Sequence, residues 1–309
     1  MEQLADFDVY MGENNLSFNN LLSGAEVTSS DFAKIIATAE NMKLNPKEYK
    51  KALTDKIIAL VFDKPSLRTR FSFSAAITEM GGNIIESVST SRKQEEPKDF
   101  IRVLQNYCSA VVIRTFNDND LDEMINYSTV PIINALTDLY HPCQTLADLL
   151  TLKETFGSLE SLTITYLGDA NNILYSLMLI ANELKIKVNY ACPKGHEPDS
   201  IVLNQLKDQS LIKGFTDPKK AVIGSDAVYT DVWASMGFEP TNEDSFKGYQ
   251  VNKELMSYAN NDAVFMHCMP MIRGKEVSTT LPDDDCSVIF QQSLNRKYVQ
   301  KALLYFLLK

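Results

Sequence analysis

The feature that most limits how this chain can fold is a repeated alternation of short apolar runs with helical patterns. Eight runs rich in β-branched and aromatic residues are predicted to be buried strands, and helix-like segments separate most of them. The predicted strands are residues 57–62, 83–88, 110–114, 131–134, 163–167, 187–191, 227–230 and 264–267. Such alternation indicates α/β architecture with mostly parallel sheets, because crossover helices return the chain to the same end of a sheet.

The domain organisation is predicted from chain length and from two long helical patterns. The chain has 309 residues, which favours two domains over one. Residues 144–156 carry an apolar helical pattern that Gly157 ends, and we interpret this helix as the connector between two α/β halves. We therefore predict an α/β fold with two domains, residues 1–143 and 144–291, each a mostly parallel sheet flanked by helices, joined by long helices. A C-terminal helix at about residues 292–309 is expected to pack back on the first domain.

The overall charge and the cysteine content exclude several classes of partner and location. The formal net charge is −10, and neither nucleic acid nor a membrane surface is expected as a partner, because both are bound by clustered Lys and Arg. No apolar run approaches the ~20 residues of a membrane span. Five cysteines without a C-x-x-C spacing favour a reducing compartment over a disulfide framework or a zinc site. Since the N-terminus also lacks the pattern of a secretory signal, we expect a cytoplasmic protein.

The clearest concentration of positive charge follows the first predicted strand. Four side chains lie where a helix begins, directly after the polar turn that ends the strand: Ser66, Arg68, Thr69 and Arg70. Unpaired backbone N–H groups at a helix N-terminus, together with guanidinium and hydroxyl groups, suit a phosphate-sized anion. A capped helix with two solvent-facing arginines would produce the same short pattern. Arg114, at the end of the third predicted strand, serves either a bound anion or a structural ion pair.

Further polar segments also follow predicted strands, where ligands bind in open α/β sheets. His141 and Gln144 lie at the start of the connector helix, and both can donate a hydrogen bond to a carbonyl oxygen. After the fifth predicted strand, a glycine turn lacks the G-x-G-x-x-G pattern, so a dinucleotide is not expected. Asn171 and Asn172 in that turn either cap the next helix or bind a polar substrate. His196 lies in a polar loop and is expected to be solvated.

The last two polar segments are residues 231–237 and 267–270. Asp231 is suited to bind an ammonium group. Cys268 is interpreted as a nucleophile, a polar contact or an inert core thiol. A nucleophile–base pair of Cys268 with His267 is not expected, because neighbours on an extended chain point to opposite sides.

Taken in order, these segments resemble the motifs of the aspartate/ornithine carbamoyltransferase family over nearly the whole chain. The family's S-T-R-T-R corresponds to residues 66–70, and its H-P-x-Q to residues 141–144. The D-x-W-x-S-M-G and H-C-L-P sequences of the ornithine branch correspond to residues 231–237 and 267–270. A late Asn-Arg pair corresponds to residues 295–296. The resemblance is strongest to the ornithine branch.

The resemblance implies transfer of a carbamoyl group from carbamoyl phosphate to the side-chain amine of L-ornithine, giving L-citrulline and phosphate. The amine would attack directly, without a covalent intermediate, a metal or an organic cofactor. The implied carbamoyl-phosphate contacts are Ser66, Leu67, Arg68, Thr69, Arg114, His141, Gln144, Met269 and Arg296. The implied ornithine contacts are Asn172, Asp231, Ser235, Met236 and Cys268. The implied catalytic residues are Arg68, His141, Cys268 and Arg296.

Two segments depart from the family pattern. Leu67 replaces the usual Thr, which removes a hydroxyl near the expected phosphate but keeps the backbone N–H. The loop at residues 89–96 is short, and Ser91 and Lys93 in it are candidates for a contact into a neighbouring subunit; a solvated charged loop is the alternative. The resemblance also implies a homotrimer or a multiple of trimers, and a cis Met269–Pro270 peptide bond.

The sequence leaves two alternative functions open. One is the same reaction on another amine acceptor, either putrescine or an acylated ornithine, although the intact segment at residues 231–237 favours an acceptor with free α-amino and α-carboxylate groups. Aspartate is not expected, because the region lacks the Arg-x-Gln needed for a second carboxylate. The other alternative is a non-catalytic carbamoyl-phosphate-binding homologue, which the retained His141, Cys268 and Arg296 disfavour.

Overall fold

The computed structural model describes residues 15–88, 95–233 and 243–309. The chain divides into two compact units. The first comprises Met1–Leu146 and Arg296–Lys309, and the second comprises Ala147–Asn295. Within the described ranges, no helix combines the length and the apolar character needed to cross a membrane.

Strands and helices alternate through the described residues. The strands are Ile57–Phe62 (β1), Asn83–Val88 (β2), Ala110–Arg114 (β3), Ile132–Leu136 (β4), Thr163–Leu167 (β5), Lys187–Ala191 (β6), Ile212–Phe215 (β7), Ala227–Thr230 (β8) and Val264–His267 (β9). The α-helices are Ser29–Leu44 (α1), Leu67–Glu79 (α2), Pro97–Leu104 (α3), Asp118–Ile125 (α4), Pro142–Phe156 (α5), Asn172–Glu183 (α6), Ser200–Leu203 (α7), Pro218–Val222 (α8), Lys253–Met256 (α9) and Ile289–Leu307 (α10). The division between the units passes through α5 and α10.

The first unit contains a four-stranded parallel sheet in the order β2-β1-β3-β4. The chain leaves β1 for β2 on one side and then returns to β3 on the other. Such a reversal creates a crevice at the carboxyl ends of the two central strands. Phe62 pairs with Arg114 at these ends, and the N–H of Asp63 donates to the Arg114 carbonyl at 2.9 Å. The turn that follows β1 therefore begins beside Arg114.

One face of this sheet is covered by α3 and α4. The buried residues that make this contact are Ala59, Val61, Val111, Ile113 and Ile132 from the strands and Ile101, Leu121 and Met124 from the helices. The strand residues occupy alternate positions in β1 and β3, as a two-residue side-chain period requires. Each fully buried aliphatic side chain contributes about 1.5–3 kcal/mol to the hydrophobic stabilisation. This packing gives the loops at the strand ends a rigid base.

The second unit contains a five-stranded parallel sheet in the order β7-β6-β5-β8-β9. Here the order reverses between β5 and β8, whose last residues Leu167 and Thr230 are paired. The Thr230 hydroxyl donates to the Leu167 carbonyl at 2.7 Å, and Thr230 also pairs with His267 at the end of β9. The loops that begin at Gly168, Asp231 and Cys268 therefore leave neighbouring strand ends.

The predicted α/β class with two parallel sheets is confirmed. Seven of the eight predicted strands have the observed bounds, and β4 lies at Ile132–Leu136 instead of residues 131–134. β7 was not predicted, because this half-exposed edge strand, with Lys213 and Gly214, lacks a buried apolar run. The C-terminal helix begins earlier than predicted, at Ile289.

Candidate functional site

In the first unit, seven of the predicted side chains come from four chain segments. We call this group the anion cluster: Ser66, Arg68, Thr69, Arg114, His141, Gln144 and Arg296. Thr69, Arg114, His141, Gln144 and Arg296 are all buried, and Ser66 and Arg68 are half-buried. They lie at the start of α2, the end of β3, the start of α5 and within α10.

The start of α2 has the geometry expected for an anion-binding turn. Ser66 is the N-cap residue, with extended backbone angles (φ −158°, ψ 107°), and its hydroxyl oxygen accepts from Arg114 Nη1 at 3.4 Å instead of capping the helix. The first turn contains no acidic residue. The N–H groups of a first helical turn lack intrahelical partners and carry the positive end of the helix dipole. The turn therefore offers donors and positive potential to a bound anion.

The two arginines of this turn have different surroundings. Arg70 forms an ion pair through Nε with Glu86 Oε1 on β2, so its guanidinium already has a carboxylate partner. Arg68 is half-buried, and its guanidinium makes no ion pair with the described residues. Leu67, the first residue of α2, is 61% exposed, so its backbone is its only polar contribution to the turn.

Arg296 connects α10 to this turn, and His141, at the start of α5, lies close enough to Arg296 and Arg114 for their charges to act on it. Arg296 donates through Nη2 to the Thr69 hydroxyl, and both residues are buried. Burial, followed by the nearby guanidinium groups of Arg296 and Arg114, lowers the pKa of His141 well below its ordinary value of 6.5. His141 is therefore a neutral imidazole near pH 7, able to donate one hydrogen bond without adding charge.

The second unit contains a separate group built around a buried carboxylate. We call Asn171, Asp231 and Cys268 the Asp231 cluster. Asn171 Nδ2 donates to Asp231 Oδ2 at 2.8 Å, and the Cys268 thiol donates to Asp231 Oδ1 at 3.0 Å. Asn171 Oδ1 accepts from the N–H of Ile173, which makes Asn171 the N-cap of α6 and turns its amide nitrogen toward Asp231. The capping interpretation of the asparagine turn is thus confirmed for Asn171.

Two buried tyrosines support the Asp231 cluster. The Tyr166 hydroxyl lies 3.2 Å from Asn171 Oδ1 and 3.1 Å from the Asp169 carbonyl. The Tyr229 hydroxyl donates to Asp148 Oδ2 at 3.0 Å, and the two tyrosine rings pack edge to face. Burial, followed by nearby carboxylates, raises the pKa of both phenols well above 10. Both hydroxyls are therefore fixed hydrogen-bond donors at all physiological pH values.

The segment after β9 contributes Cys268 to this cluster, and Met269 follows it in the chain. The predicted cis peptide bond between Met269 and Pro270 is confirmed. His267 and Cys268 contact different partners, Glu276 and Asp231, as expected for neighbours at a strand end. Among the described residues, Asp231, His267 and Cys268 each have one potential metal-ligand atom, and these atoms lie within 4.8 Å of one another. Both nitrogens of His267, however, already make hydrogen bonds.

Sequence reasoning missed a histidine–carboxylate pair near the Asp231 cluster. His196 was expected to be solvated, but this is wrong: its Nδ1 lies 2.7 Å from Asp169 Oδ1, and its side chain is 20% exposed. Its ring packs on Phe246, which stacks on Trp233 with 5.1 Å between ring centroids. The sequence carries no local signal for these contacts, because the partners are 27 and 50 residues away from His196.

The remaining predicted residues fall into two sets. Asn172 is the first residue of α6 and is half-buried, next to the Asn171 cap. Four others lie outside the described residues: Ser91, Lys93, Ser235 and Met236.

Family models match both units of the chain. The carbamoyl-phosphate-binding domain of aspartate/ornithine carbamoyltransferase matches residues 19–154. The aspartate/ornithine-binding domain of the same enzymes matches residues 160–307. The two matches follow each other along the chain and together include every residue of the two clusters.

Individual relatives are similar over almost their full length. An ornithine carbamoyltransferase of Prochlorococcus marinus (strain MIT 9312) is 44% identical over 305 residues, which is 96% of this chain and 98% of the relative. One from Listeria monocytogenes serotype 4b is 43% identical over 311 residues, again 96% and 98% of the two chains.

Solved structures agree with the sequence comparisons. The ornithine carbamoyltransferase of Pyrococcus furiosus superposes with a TM-score of 0.88 at 37% identity, covering 94% of this chain and 97% of that one. The anabolic ornithine carbamoyltransferase of Campylobacter jejuni gives a TM-score of 0.87 at 35% identity, covering 94% and 99%. With fold, motif positions and full-length relatives in agreement, the chain belongs to the aspartate/ornithine carbamoyltransferase family.

Proposed function

We propose that this chain transfers the carbamoyl group of carbamoyl phosphate to the side-chain amine of L-ornithine, giving L-citrulline and phosphate. The observation that carries the proposal is the anion cluster, in which Arg114, Arg296 and neutral His141 are brought to the turn that carries Arg68, in a protein of net charge −10. Full-length relatives named ornithine carbamoyltransferase support the choice of reaction.

The phosphate group of the donor is assigned to the start of α2 and the end of β3. Its proposed side-chain contacts are Ser66, Arg68, Thr69 and Arg114, with backbone N–H groups of residues 67–69, so that Leu67 contributes through its backbone. Fixed positive charge and N–H dipoles favour the phosphate as its negative charge grows during departure. The contact between Ser66 and Arg114 supports this assignment, because it brings two of these groups together before any ligand binds.

The carbamoyl group is assigned to the remaining members of the anion cluster. Arg68, His141 and Arg296 would polarise the carbamoyl oxygen, and Gln144 would contact the carbamoyl amine. Neutral His141 can donate a hydrogen bond to an oxygen that gains negative charge in the transition state, which is the geometry of an oxyanion site. The Met269 carbonyl is proposed to accept from the carbamoyl nitrogen.

The acceptor is assigned to the second unit. Asp231 would bind the α-amino group of ornithine, with Asn172, Ser235 and Met236 orienting the rest of the amino acid and Cys268 beside the reacting amine. An ionised carboxylate offers about four acceptor positions. Asn171 and Cys268 use one on each oxygen of Asp231, which holds the carboxylate in a defined orientation for an ammonium group.

The proposed reaction needs no covalent intermediate, metal or organic cofactor. A neutral amine attacks the carbamoyl carbon, and the rate enhancement comes from holding both reactants in place and from stabilising the oxyanion. Since the attacking amine must lose its proton first, turnover is expected to rise with pH through neutral values.

A substrate panel tests the acceptor. Carbamoyl phosphate is supplied with ornithine, putrescine, N-acetylornithine or aspartate, and the carbamoylated product is measured by mass spectrometry. Citrulline formation with ornithine at least about 100-fold above the other amines is expected, because the site's buried carboxylate would lose its ammonium partner with an acylated acceptor. Product from another amine with none from ornithine would overturn the acceptor assignment. Binding of carbamoyl phosphate without any product would support the non-catalytic alternative.

We also propose a homotrimer or a multiple of trimers, with Ser91 and Lys93 contacting a neighbouring subunit, in the cytoplasm. The state of the cysteines supports a reducing compartment, since Cys108, Cys143, Cys192, Cys268 and Cys286 are all free thiols. Light scattering coupled to size-exclusion chromatography measures the mass of the assembly, and a monomer at micromolar concentration would contradict the trimer.

A further inference from the structure

His267 is a buried titratable residue that the proposed reaction does not use. It is the last residue of β9 and is 1% exposed. Its Nδ1 lies 2.9 Å from the backbone nitrogen of Met269, and its Nε2 lies 3.1 Å from Glu276 Oε1. A backbone N–H can only donate, so Nδ1 must be the unprotonated nitrogen of the ring. The proton of the neutral ring is therefore on Nε2, where it is donated to Glu276.

The partners of His267 are themselves held in place. Glu276 is 1% exposed, and its Oε1 also accepts from the N–H of Ile272. The backbone N–H of His267 donates to Gln292 Oε1 at 3.0 Å, and Gln292 Nε2 donates to Asp148 Oδ1 at 2.7 Å. The ring thus sits in a fixed frame between Glu276 on one side and the Met269 peptide on the other.

Met269 has a backbone conformation that residues other than glycine rarely adopt. Its φ is +55°, in the left-handed region, where a side chain is crowded by its own backbone. The Met269 N–H donates to His267 Nδ1 at 2.9 Å, and this hydrogen bond fixes the direction of the peptide that joins Cys268 to Met269. The Cys268 thiol, which donates a hydrogen bond to Asp231, belongs to the residue at the start of the same peptide.

We propose that His267 is a positioning residue. Its Nδ1 accepts from the Met269 N–H, which holds the backbone of residues 268–269 so that the Met269 carbonyl and the Cys268 thiol are placed for carbamoyl transfer. Glu276 holds the ring in the tautomer that can accept from Met269. The proposal rests on the proposed function, because it assigns the held groups to the reaction. It gives His267 no direct contact with substrate.

Two substitutions test the acceptor role of Nδ1 and the donor role of Nε2 separately. In His267→Asn, the side-chain oxygen lies near the position of Nδ1 and can accept from the Met269 N–H. In His267→Gln, the side-chain nitrogen lies near the position of Nε2 and can donate to Glu276, but no acceptor faces Met269. Glu276→Gln retains an oxygen that can accept from His267 Nε2, so it removes the charge beside Nε2 while keeping this hydrogen bond.

The expected result is a larger loss of kcat in His267→Gln than in His267→Asn. Misplacement of a reacting group by ~1 Å costs about 100-fold in rate, so we expect a loss of about 100-fold in the Gln variant and about 10-fold or less in the Asn variant. Inhibition by inorganic phosphate should be unchanged in both, which a general loss of structure would not allow. Equal losses in kcat, or better activity in the Gln variant, would overturn the proposal.

A second readout does not depend on turnover. The chain has three histidines, so ¹⁵N-histidine labelling gives a simple spectrum, and the signals lost in His267→Asn assign His267. We expect a pyridine-like Nδ1 and a protonated Nε2 in the folded protein, as the two hydrogen bonds of the ring require. A protonated Nδ1 in the folded protein would overturn the positioning role whatever the substrate. If the wild-type protein makes no citrulline while the tautomer is as expected, the proposed function fails and the hydrogen-bond assignment stands.

Discussion

At the scale of single residues, the chemistry of the anion cluster depends on which charged groups are already paired. Arg70 and Arg68 lie two positions apart on the same helical turn. Arg70 is held by Glu86, whereas Arg68 makes no ion pair with the described residues. His141 is uncharged because it is buried beside two arginines. The cluster therefore combines fixed positive charge with one neutral donor.

Arg68→Ala is expected to abolish the proposed carbamoyl transfer, with a loss of at least about 1000-fold in kcat/KM, because the proposal assigns this one guanidinium to both the leaving phosphate and the carbamoyl oxygen. Arg70→Ala is the matched control. Its ion pair is partly exposed and is worth about 0–1 kcal/mol of stability, so turnover should stay near the wild-type value. Citrulline assays and thermal unfolding of both variants check this. Near-normal turnover in Arg68→Ala would refute its phosphate role.

The neutral state of His141 makes stability depend on pH. In the unfolded chain this histidine binds a proton near pH 6.5, whereas in the folded chain its pKa lies well below that value. The unfolded state therefore binds more protons as the pH falls, and folding stability decreases by up to about 1.4 kcal/mol per pH unit between those two pKa values. Urea unfolding at pH 7, 6 and 5 measures the slope. His141→Gln should have a shallower slope, and an unchanged slope would show that His141 is not its source.

At the scale of secondary-structure elements, a helix cap and a hydrogen-bond donor to Asp231 are combined in Asn171. Its side-chain oxygen caps α6, and its amide nitrogen donates to Asp231. The placement of the loops after β1, β5, β8 and β9 was predictable, because apolar runs locate strands and parallel strands end at one edge. The ion pair of Arg70 with Glu86 and the contact of His196 with Asp169 were not, because they depend on how separate elements pack.

Asn171→Ser is expected to keep the cap and lose the donor to Asp231. A serine hydroxyl can accept from the first-turn N–H groups, so stability should change by no more than about 1 kcal/mol. The KM for ornithine should rise by about 10-fold or more, because the carboxylate loses an aligning hydrogen bond. Asn117→Ser, at the N-cap of α4, is the matched control and should leave the KM unchanged. Steady-state kinetics and thermal unfolding give both values, and an equal KM in the two variants would contradict the role of Asn171.

At the scale of the whole molecule, each unit has its own sheet and its own cluster at a reversal of strand order. The strand order was beyond sequence reasoning, since apolar runs do not say which strands become neighbours. The first unit also includes the C-terminal part of α10, where Lys301 is 1% exposed and binds Glu79 of α2. Lys297 forms a second ion pair with the same carboxylate.

Glu79→Ala is expected to destabilise the first unit by about 1–2 kcal/mol, because it leaves the buried ammonium of Lys301 without its carboxylate, which is itself 43% exposed. Glu183→Ala removes an ion pair with Lys207, whose side chain is 71% exposed, and should cost about 0–1 kcal/mol. Chemical denaturation of the two variants compares these costs. Equal midpoints would mean that Lys301 finds another partner.

The discontinuous first unit has a consequence for how the protein is made. The residues from Arg296 onward are synthesised after the whole of the second unit, yet they belong to the same compact unit as the four-stranded sheet. The second unit is a single continuous stretch, so all of its strands have been synthesised before Arg296 reaches Thr69. Since domains fold as units during synthesis, a nascent chain can form the Asp231 cluster while its anion cluster still lacks one arginine. The proposed anion site is therefore completed only after the second unit has been synthesised.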